Sequence, residues 1–460
     1  MPGAGFDATC HVFARYGGTT LVLFGADGPL GVARFGKDHR DVLRRAGPHD
    51  ALLVNRLAPG GKTPSERCLG CRKLITFRAS NQTDVCAEVS FGASIMAKTV
   101  QPKMGVIFKS YEPLSAMRAY AEQTEASGFT GGFWIAEAYH WFRQYGLEAR
   151  GCFTTLAVVA QATSKIPVGL GITSPYMRHP TIQASEAAAI DELSNGRFIM
   201  GIGVGKVGIE YLEYDIEKMR PVTVHHESME IMRKVFSGQS YAYEGKHFKS
   251  SMPAFDRAAK GLRTDIPVYV GATGPFMQKL AGKESDGMLL AGLTSPSFVK
   301  YALANMKEGA ASAGRTLPDD FAVGGVILCA CSRDGDKARN ATRSYTGTYI
   351  VNKIRNIKND VILAGSGLPD SAWDPFRKAI AEGTQDNVTH LVTDEMMRCF
   401  TVISGTPDEC LEIVQDLVDA GLNLPLLEVV GKSEEDNLET IRLMGSEVLP
   451  KLKPGPAATA

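Results

Sequence analysis

The feature that most constrains the fold is a regular alternation of short apolar runs with helix-period stretches, beginning near residue 105. Parallel strands need crossover helices between them, so this alternation predicts an α/β protein with a parallel sheet. Eight such runs occur, and eight is the number of strands that closes into a barrel. They are residues 105–108, 132–136, 167–172, 198–203, 267–271, 286–291, 322–331 and 425–430.

We therefore predict a (β/α)8 barrel of the TIM type over residues 104–455. A long, mostly helical insertion is predicted at residues 334–400, between the seventh and eighth strands. The main alternative is an open, doubly wound sheet, which would bind ligands at a switch point in the strand order instead of around one rim.

Residues 1–100 have a different texture, rich in Gly and Arg and without a long helical period. We predict that they form an N-terminal extension that is poorly ordered or loosely docked. Cys68 and Cys71 form a single Cys-x-x-Cys pair in this segment, and zinc would need two further ligands. We interpret the pair as incidental thiols.

Composition narrows the classes of function. Fifty basic residues balance fifty acidic ones, which gives no bulk argument for nucleic acid or for a membrane surface as a partner. No apolar run approaches the roughly 20 residues needed to span a bilayer. The nine cysteines are odd in number and scattered, which indicates reduced thiols and a cytoplasmic protein.

Barrel enzymes place their chemistry on the loops that follow the strands. The fourth and fifth predicted strands end in glycine-rich segments, residues 201–205 and 271–274, and the second of these opens a helix. Glycines let backbone amides approach a ligand closely, and a helix N-terminus suits a phosphate. The alternative is that these glycines only make tight turns. No strand end carries His and Cys at zinc spacing or a Gly-x-Ser-x-Gly elbow, so we predict neither a metal site nor a hydrolase triad.

Several segments resemble the luciferase-like superfamily of flavin- and deazaflavin-dependent oxidoreductases, and most closely its coenzyme F-420-dependent methylenetetrahydromethanopterin reductases. The resemblance covers nearly all of residues 104–450. Its densest parts are residues 169–180, 191–197, 201–206, 266–275 and 405–409.

The resemblance implies a cis peptide bond between Gly171 and Ile172, forming a bulge behind the deazaflavin ring, with Thr173 and Ser174 beside that ring. It implies a homodimer as well. It also implies that two loops hold the phosphate end of coenzyme F-420. Their residues are Gly203, Val204, Gly205 and Lys206 in the first loop, and Gly271, Ala272, Thr273 and Gly274 in the second.

Two positions depart from the reductases. Their acidic residue within the first strand is replaced by Ile107, and their Asp-His-Tyr after the second strand becomes Glu137-Ala138-Tyr139. Glu137 keeps a carboxylate, and we predict that it is a catalytic residue that relays a proton. The alternative is an ion-paired glutamate at the rim of the barrel.

The predicted function is hydride transfer between coenzyme F-420 and a small organic substrate, with a methylene-tetrahydropterin or folate as the candidate. Two alternatives stay open at this point. One is an FMN-dependent monooxygenase, and the other is a flavin-binding protein of the same fold that catalyses no reaction.

Overall fold

The computed structural model describes residues 98–139, 143, 146–205, 212, 218, 220–356 and 361–459, together with five strands that precede residue 91. The chain divides into two compact units, Met1–Met96 and Ala97–Ala460. The boundary between the units falls close to residue 100, where the sequence changes in texture.

The described part of the first unit consists of strands only. Three strands pair antiparallel in the order β1-β2-β3, and β4 pairs antiparallel with β5. Cys68 and Cys71 lie outside the described residues, and the predicted loose docking of this segment stays a prediction. The strands are β1 (His11–Phe13), β2 (Thr20–Gly25), β3 (Gly28–Arg34), β4 (Arg72–Arg78) and β5 (Asp84–Ser90).

The second unit contains the predicted barrel. Its strands are β6 (Thr99–Val100), β7 (Gly105–Lys109), β8 (Phe133–Ala136), β9 (Val168–Leu170), β10 (Phe198–Ile202), β11 (Tyr241–Glu244), β12 (Lys249–Met252), β13 (Val268–Gly271), β14 (Gly287–Leu290), β15 (Ala322–Cys331), β16 (Ile403–Gly405), β17 (Leu424–Val429) and β18 (Gly455–Pro456).

Eight of these strands are parallel and close on themselves in the order β7-β8-β9-β10-β13-β14-β15-β17, with β17 pairing back to β7. Closure excludes the open doubly wound sheet, because such a sheet would leave two strand edges unpaired. All eight predicted strands are confirmed, and the barrel prediction with them.

Helices follow the strands as the alternation predicted, and the insertion between β15 and β17 is mostly helical. The helices described are α1 (Leu114–Ala126), α2 (Cys152–Ala162), α3 (Pro180–Leu193), α4 (Pro221–Ser237), α5 (Pro275–Glu284), α6 (Pro296–Ser312), α7 (Gly335–Asn356), α8 (Val361–Ala364), α9 (Asp374–Ala381), α10 (Asp394–Cys399), α11 (Pro407–Asp419) and α12 (Glu434–Leu443). Within the described ranges, no helix is both long enough and apolar enough to cross a membrane.

Sequence periodicity missed the short strands that lie outside the barrel. The hairpin of β11 and β12 has half of its residues exposed, so it carries no apolar run. The carboxylate of Glu227 in α4 holds its turn by accepting hydrogen bonds from the amides of Lys246, His247 and Phe248. This hairpin therefore depends on a contact from a distant helix, which a local pattern does not reveal.

Side chains that point into the barrel form a small apolar cluster of their own. Ile107 and Trp134 are register partners on β7 and β8, and they pack with Leu289, Leu424 and Leu426. Alternate residues of a strand share a face. Lys109 on β7 and Glu428 on β17 therefore continue the inward-pointing rows at the carboxyl end of the barrel, which is its mouth.

Glu125, at the end of α1, fixes the turn before β9. Its carboxylate accepts hydrogen bonds from the amides of Ser164, Lys165 and Ile166 and from the Ser164 hydroxyl. Burial raises the pKa of Glu125, but these hydrogen bonds outweigh it and lower that pKa from its usual 4.5 to about 2.

Glu125→Gln is expected to destabilise the fold by about 1–2 kcal/mol, because it removes the charge from several charge-assisted hydrogen bonds. A lowered pKa in the folded state stabilises the fold above pH 4.5, and that contribution is lost as the pH falls toward 2. Urea unfolding at pH 7 and pH 3 measures both effects. Glu122→Gln on the same helix is the control, because its exposed pair with Arg118 contributes little. Equal stability of the two variants at pH 7 would contradict this account of Glu125.

Candidate active site

The chain leaves β9 through a cis peptide bond between Gly171 and Ile172, the bond that the family resemblance implied. Backbone hydrogen bonds fix the following residues between two neighbouring strands. The amide of Glu137 donates to the Ile172 carbonyl (3.1 Å), the Thr173 amide donates to Gly201 (3.0 Å), and the Gly203 amide donates to Thr173 (3.0 Å). The segment is thus held at the mouth of the barrel, between the ends of β8 and β10.

Glycines at the ends of β10 and β13 make room for the Ile172 side chain. A Cβ at Gly203 would lie 2.8 Å from Cγ1 of Ile172, and a Cβ at Gly271 would lie 3.1 Å from its Cγ2. These two glycines therefore do more than shape turns. They let the bulge residue settle against the ends of the fourth and fifth barrel strands.

Gly205 lies in the loop after β10, which the structure describes continuously as far as this residue, and it faces the hydroxyl of Tyr139. Its φ is +63°, and a Cβ there would lie 2.6 Å from the hydroxyl of Tyr139 and 3.1 Å from Cβ of Ser174. The Tyr139 hydroxyl is buried and has no hydrogen-bond partner within the described residues. A buried hydroxyl without a partner costs free energy unless a ligand or water satisfies it. Burial also raises the pKa of Tyr139 well above 10, so the group remains a neutral donor.

Thr173 and Ser174 are completely buried, and both hydroxyls are used within the protein. The Thr173 hydroxyl donates to Oε2 of Glu137 (2.7 Å), and the Ser174 hydroxyl donates to the carbonyl of Val204 (2.8 Å). These contacts tie the ends of β8, β9 and β10 together, so the two residues form a wall of the site.

The loop after β13 leads directly into α5. Gly274 is the N-cap residue of α5, no side chain caps this end, and a Cβ at Gly274 would meet no heavy atom within 4 Å. Ala272 is buried and its amide donates to the Leu289 carbonyl (2.8 Å), while Thr273 accepts a hydrogen bond from the Gln278 side chain (2.9 Å). The open amides of this loop are thus at the start of α5 and not at Ala272. Lys206 lies outside the described residues.

Glu137 sits at the centre of a buried polar cluster. Its Oε1 accepts a hydrogen bond from Arg178 at 2.6 Å and its Oε2 accepts one from Thr173, with the Ser174 amide at 3.4 Å. The glutamate side chain is 5% exposed and the arginine side chain 28%. Burial lowers the pKa of Arg178, but the contact with Glu137 outweighs it and raises that pKa, so the arginine stays charged. Both carboxylate oxygens are occupied, which corresponds to the ion-paired arrangement more closely than to a free proton relay.

The adjacent pair His225-His226 near the start of α4 predicts surface or cap residues from the sequence alone, and for His225 that prediction is wrong. His226 is indeed half-exposed and pairs with Glu284, but His225 is completely buried in α4. Its Nδ1 lies 2.7 Å from the Pro221 carbonyl, and its Nε2 has no partner within the described residues. Burial lowers the pKa of His225, so the imidazole is neutral. The spacing of His225, Met229 and Met232 places them on one buried helix face, and this pattern was the signal available in the sequence.

A second polar cluster lies on the opposite side of the barrel mouth. Lys109 at the end of β7 forms an ion pair with Oε1 of Glu428 on the adjacent strand β17. The Tyr349 hydroxyl, from helix α7 of the insertion, donates to Oε2 of Glu428 at 2.5 Å and accepts a hydrogen bond from Lys109 at 3.3 Å. The mouth therefore has a glycine-lined half, at β9, β10 and β13, and a charged half, at β7 and β17.

Comparison with known proteins agrees with this architecture. The luciferase-like monooxygenase family matches residues 90–424. A 5,10-methylenetetrahydromethanopterin reductase from Archaeoglobus fulgidus is 33% identical, over 76% of this chain and 100% of that protein. An F-420-dependent glucose-6-phosphate dehydrogenase from Amycolatopsis mediterranei is 25% identical, over 73% of this chain and 93% of the relative. The solved structure of the coenzyme F-420-dependent tetrahydromethanopterin reductase from Methanopyrus kandleri superposes with a TM-score of 0.66 at 28% identity, covering 77% of this chain and 100% of that one.

A closed barrel with a cis bulge after its third strand, matched by this family over most of its length, defines the class of protein. The chain belongs to the luciferase-like family and is an oxidoreductase of that family.

Proposed function

We propose that this protein transfers a hydride between coenzyme F-420 and a small organic substrate at the mouth of the barrel. The observation that carries the proposal is the glycine-lined half of the mouth, where the Tyr139 hydroxyl faces Gly205 and has no hydrogen-bond partner among the described residues. Relatives with reductase and with dehydrogenase activity are both named as F-420-dependent, which supports this cofactor over FMN. Bound there, the deazaflavin supplies the hydride chemistry, and the protein supplies position and electrostatics.

The residues present fit such a cofactor. Gly203, Val204 and Gly205 offer backbone at close approach, and the Tyr139 hydroxyl offers a donor that the described part of the chain does not use. The uncapped N-terminus of α5 at Gly274 suits a phosphate group, because its free amides and helix dipole favour negative charge. We assign the phosphate end of the cofactor to these two loops. Lys206, Gly271, Ala272 and Thr273 stay predicted members of the same site.

The protein's own residues shape the ring-binding wall. Ile172, supported by Gly203 and Gly271, presents its side chain at the bulge. Thr173 and Ser174 are fixed behind it by Glu137 and by Val204. We propose that Glu137 acts mainly by positioning this wall, since both of its oxygens accept hydrogen bonds from the wall and from Arg178. The sequence-based prediction that Glu137 relays a proton remains to be tested.

The substrate we favour is a methylene-tetrahydropterin or the corresponding folate. Three methylenetetrahydromethanopterin reductases at 30% identity or more, from archaeal sources that include Methanolobus tindarius, support this class. Ile107 and Ala138 depart from the pattern of those reductases, so we expect the pocket to bind the reacting carbon differently.

Titration of the purified protein with oxidised coenzyme F-420 and with FMN tests the proposal. We expect a change in deazaflavin absorbance with saturable binding, and turnover with at least one of methylene-tetrahydropterin, glucose 6-phosphate and NADPH. Tight FMN binding without any response to F-420 would overturn the proposal in favour of the monooxygenase alternative. Binding without turnover on any of these compounds would favour the non-catalytic alternative.

Three further predictions accompany this proposal. We propose that the protein is a homodimer, as the family resemblance implies, and that it is cytoplasmic, as its cysteine usage indicates. We also propose that residues 1–100 are an extension outside the catalytic barrel, in keeping with the division of the chain at Met96.

A further inference from the structure

The charged half of the barrel mouth contains three side chains brought together from distant parts of the chain. Lys109 and Glu428 lie at or next to the carboxyl ends of the adjacent strands β7 and β17. Each is two residues beyond an inward-facing apolar side chain, Ile107 on β7 and Leu426 on β17. The ring of Tyr349 packs on Gly292 just after β14, where an added Cβ would lie 2.5 Å from the ring. Tyr349 therefore reaches over the mouth from β14 to β7 and β17, which makes the helical insertion part of the site.

Hydrogen bonds join these three groups in a closed ring. Lys109 contacts Glu428 and donates to the Tyr349 hydroxyl, and that hydroxyl donates to the other carboxylate oxygen of Glu428. The Glu428 side chain is 6% exposed, whereas that of Lys109 is 17% exposed. The lysine side chain is therefore more accessible than the carboxylate with which it pairs.

Burial favours the neutral form of Lys109, and its ion pair with Glu428 favours the charged form. Burial lowers the pKa of Lys109 to about 7, and the nearby carboxylate of Glu112 opposes that shift. Glu428 on β17, Tyr349 on α7 and Glu112 after β7 face it, and the titratable side chains of Tyr111 and Tyr345 line the cavity beside it. Burial raises the pKa of Tyr349 and that of Glu112, so the tyrosine holds its proton across the physiological range.

A small cavity adjoins Lys109 on the side away from the glycine loops. Tyr111, Glu112, Tyr345 and Asn437 line it together with Lys109 and Glu428. A polar cavity of this size has room for a water molecule, and water next to an amine can restore a proton that the amine has given up. Lys109 thus lies between the open mouth and a polar route toward Glu112.

We propose that Lys109 is the acid that donates the proton accompanying hydride transfer, held in place by Glu428 and Tyr349. This inference rests on the proposed function. In the direction of reduction, bound reduced coenzyme F-420 would supply a hydride, with its two electrons, to the substrate carbon and would release its second ring proton to solvent. The electron pair of the bond between that carbon and its nitrogen or oxygen moves to the heteroatom. A single bond breaks in this way, whereas a double bond loses its π pair and becomes a single bond. The heteroatom takes a proton from Nζ of Lys109, which becomes a neutral amine and is reprotonated from water in the adjoining cavity. In the direction of oxidation the neutral amine accepts the same proton.

The sequence of the first strand supports this assignment. Position 107 is apolar here, and Ile107 packs against the bulge, with its Cδ1 2.9 Å from where a Cβ of Gly171 would lie. Lys109 is two residues further along and on the same face of the strand, nearer the mouth. The titratable group of this strand is thus Lys109, at the level where a substrate enters.

Three variants distinguish proton donation by Lys109 from the effect of its positive charge. Lys109→Met keeps the approximate length and removes both, whereas Lys109→Arg keeps the charge but does not release a proton near neutral pH. Lys109→Met combined with Glu428→Gln removes the ion pair as a whole, so no unpaired carboxylate stays buried. Lys451→Met is the control, because Lys451 pairs with Asp408 on the exposed surface.

We expect all three Lys109 variants to bind coenzyme F-420 with affinity within threefold of the wild type and to lose at least 100-fold in kcat. The kcat of the wild type should change with pH around pH 7, and the residual kcat of the variants should lack this change. Competitive acetylation of the free protein with acetic anhydride, followed by mass spectrometry over pH 5–10, should place the Lys109 titration near 7.

If Lys109→Arg has the same kcat as the wild type, only the positive charge at this position matters. If the double variant has the same kcat as the wild type, Lys109 and Glu428 take no part in the reaction. Either result, or a Lys109 titration near 10 in the acetylation experiment, would overturn the inference. If the wild-type protein itself neither binds nor turns over coenzyme F-420, the proposed function fails. The acetylation experiment needs no cofactor and judges the state of Lys109 separately.

Discussion

Gly205→Ala is expected to weaken the binding of coenzyme F-420 at least tenfold while leaving the barrel folded. The added Cβ would lie 2.6 Å from the Tyr139 hydroxyl and 3.1 Å from Cβ of Ser174. Ser174 is fixed by its hydrogen bond to Val204, so Tyr139 has to move. Its hydroxyl is the buried donor that we assign to the cofactor, and displacing it removes that contact and narrows the loop.

A matched control isolates this effect from backbone strain. Gly314 has the same φ of +63°, and a Cβ there would meet no heavy atom within 4 Å. Alanine in the left-handed region costs about 1–2 kcal/mol at either position. Gly314→Ala should therefore show this loss of stability with unchanged cofactor affinity.

Fluorescence titration with coenzyme F-420 and thermal unfolding of both variants measure the two effects. If Gly205→Ala binds the cofactor as tightly as Gly314→Ala does, the loop after β10 is not the cofactor site. If the Gly205 variant fails to fold, Tyr139→Phe takes its place. It removes only the tyrosine hydroxyl, and it should weaken binding by a smaller factor.

The barrel itself could be predicted because its signal is local. Each strand is an apolar run a few residues long, and each crossover helix carries its own period, so no long-range contact had to be known. The bulge at Gly171–Ile172 was predicted in a different way, through the likeness of residues 169–180 to a family. No pattern in these residues alone requires a cis bond there.

The charged half of the mouth could not be predicted, because it depends on register and on the insertion. Lys109 and Glu428 are 319 residues apart and meet only when β17 pairs with β7 to close the barrel. Tyr349 lies in an insertion whose placement over the mouth no periodicity indicates. His225 illustrates another limit, since a histidine on a helix gives little sign of whether its face is buried.

The partners of Glu137 mark a similar limit. The sequence identifies a carboxylate after the second strand, but its function depends on Arg178 and Thr173 beyond the third strand. The positions of Arg178 and Thr173 around the Glu137 carboxylate are what show it to be ion-paired.

Glu137→Gln is expected to lower kcat by about 100-fold or more while cofactor affinity changes little. The amide keeps the size of the side chain but cannot accept hydrogen bonds at both ends from Thr173 and Arg178. With its oxygen toward Arg178 (2.6 Å in the wild type), its NH2 group faces the Thr173 hydroxyl (2.7 Å) and the Ser174 amide (3.4 Å). The hydroxyl then has to turn and accept, and the Ser174 amide meets a second donor, so the wall behind the bulge shifts. A misplacement of about 1 Å at a reacting centre is enough for a loss of this size. Stability should fall by no more than about 3 kcal/mol, because Arg178 is 28% exposed and water can reach it.

Glu186→Gln provides the comparison, because Glu186 approaches the same guanidinium at 3.7 Å without contacting Thr173. We expect it to retain nearly full kcat. The pH profile then separates the two roles of Glu137. A positioning residue lowers kcat at every pH and leaves the limb near pH 7 in place, since that limb belongs to Lys109. A proton relay would instead remove or shift a limb in Glu137→Gln. Wild-type kcat in Glu137→Gln would exclude both roles, and the polar cluster around Arg178 would then serve only the stability of the barrel rim.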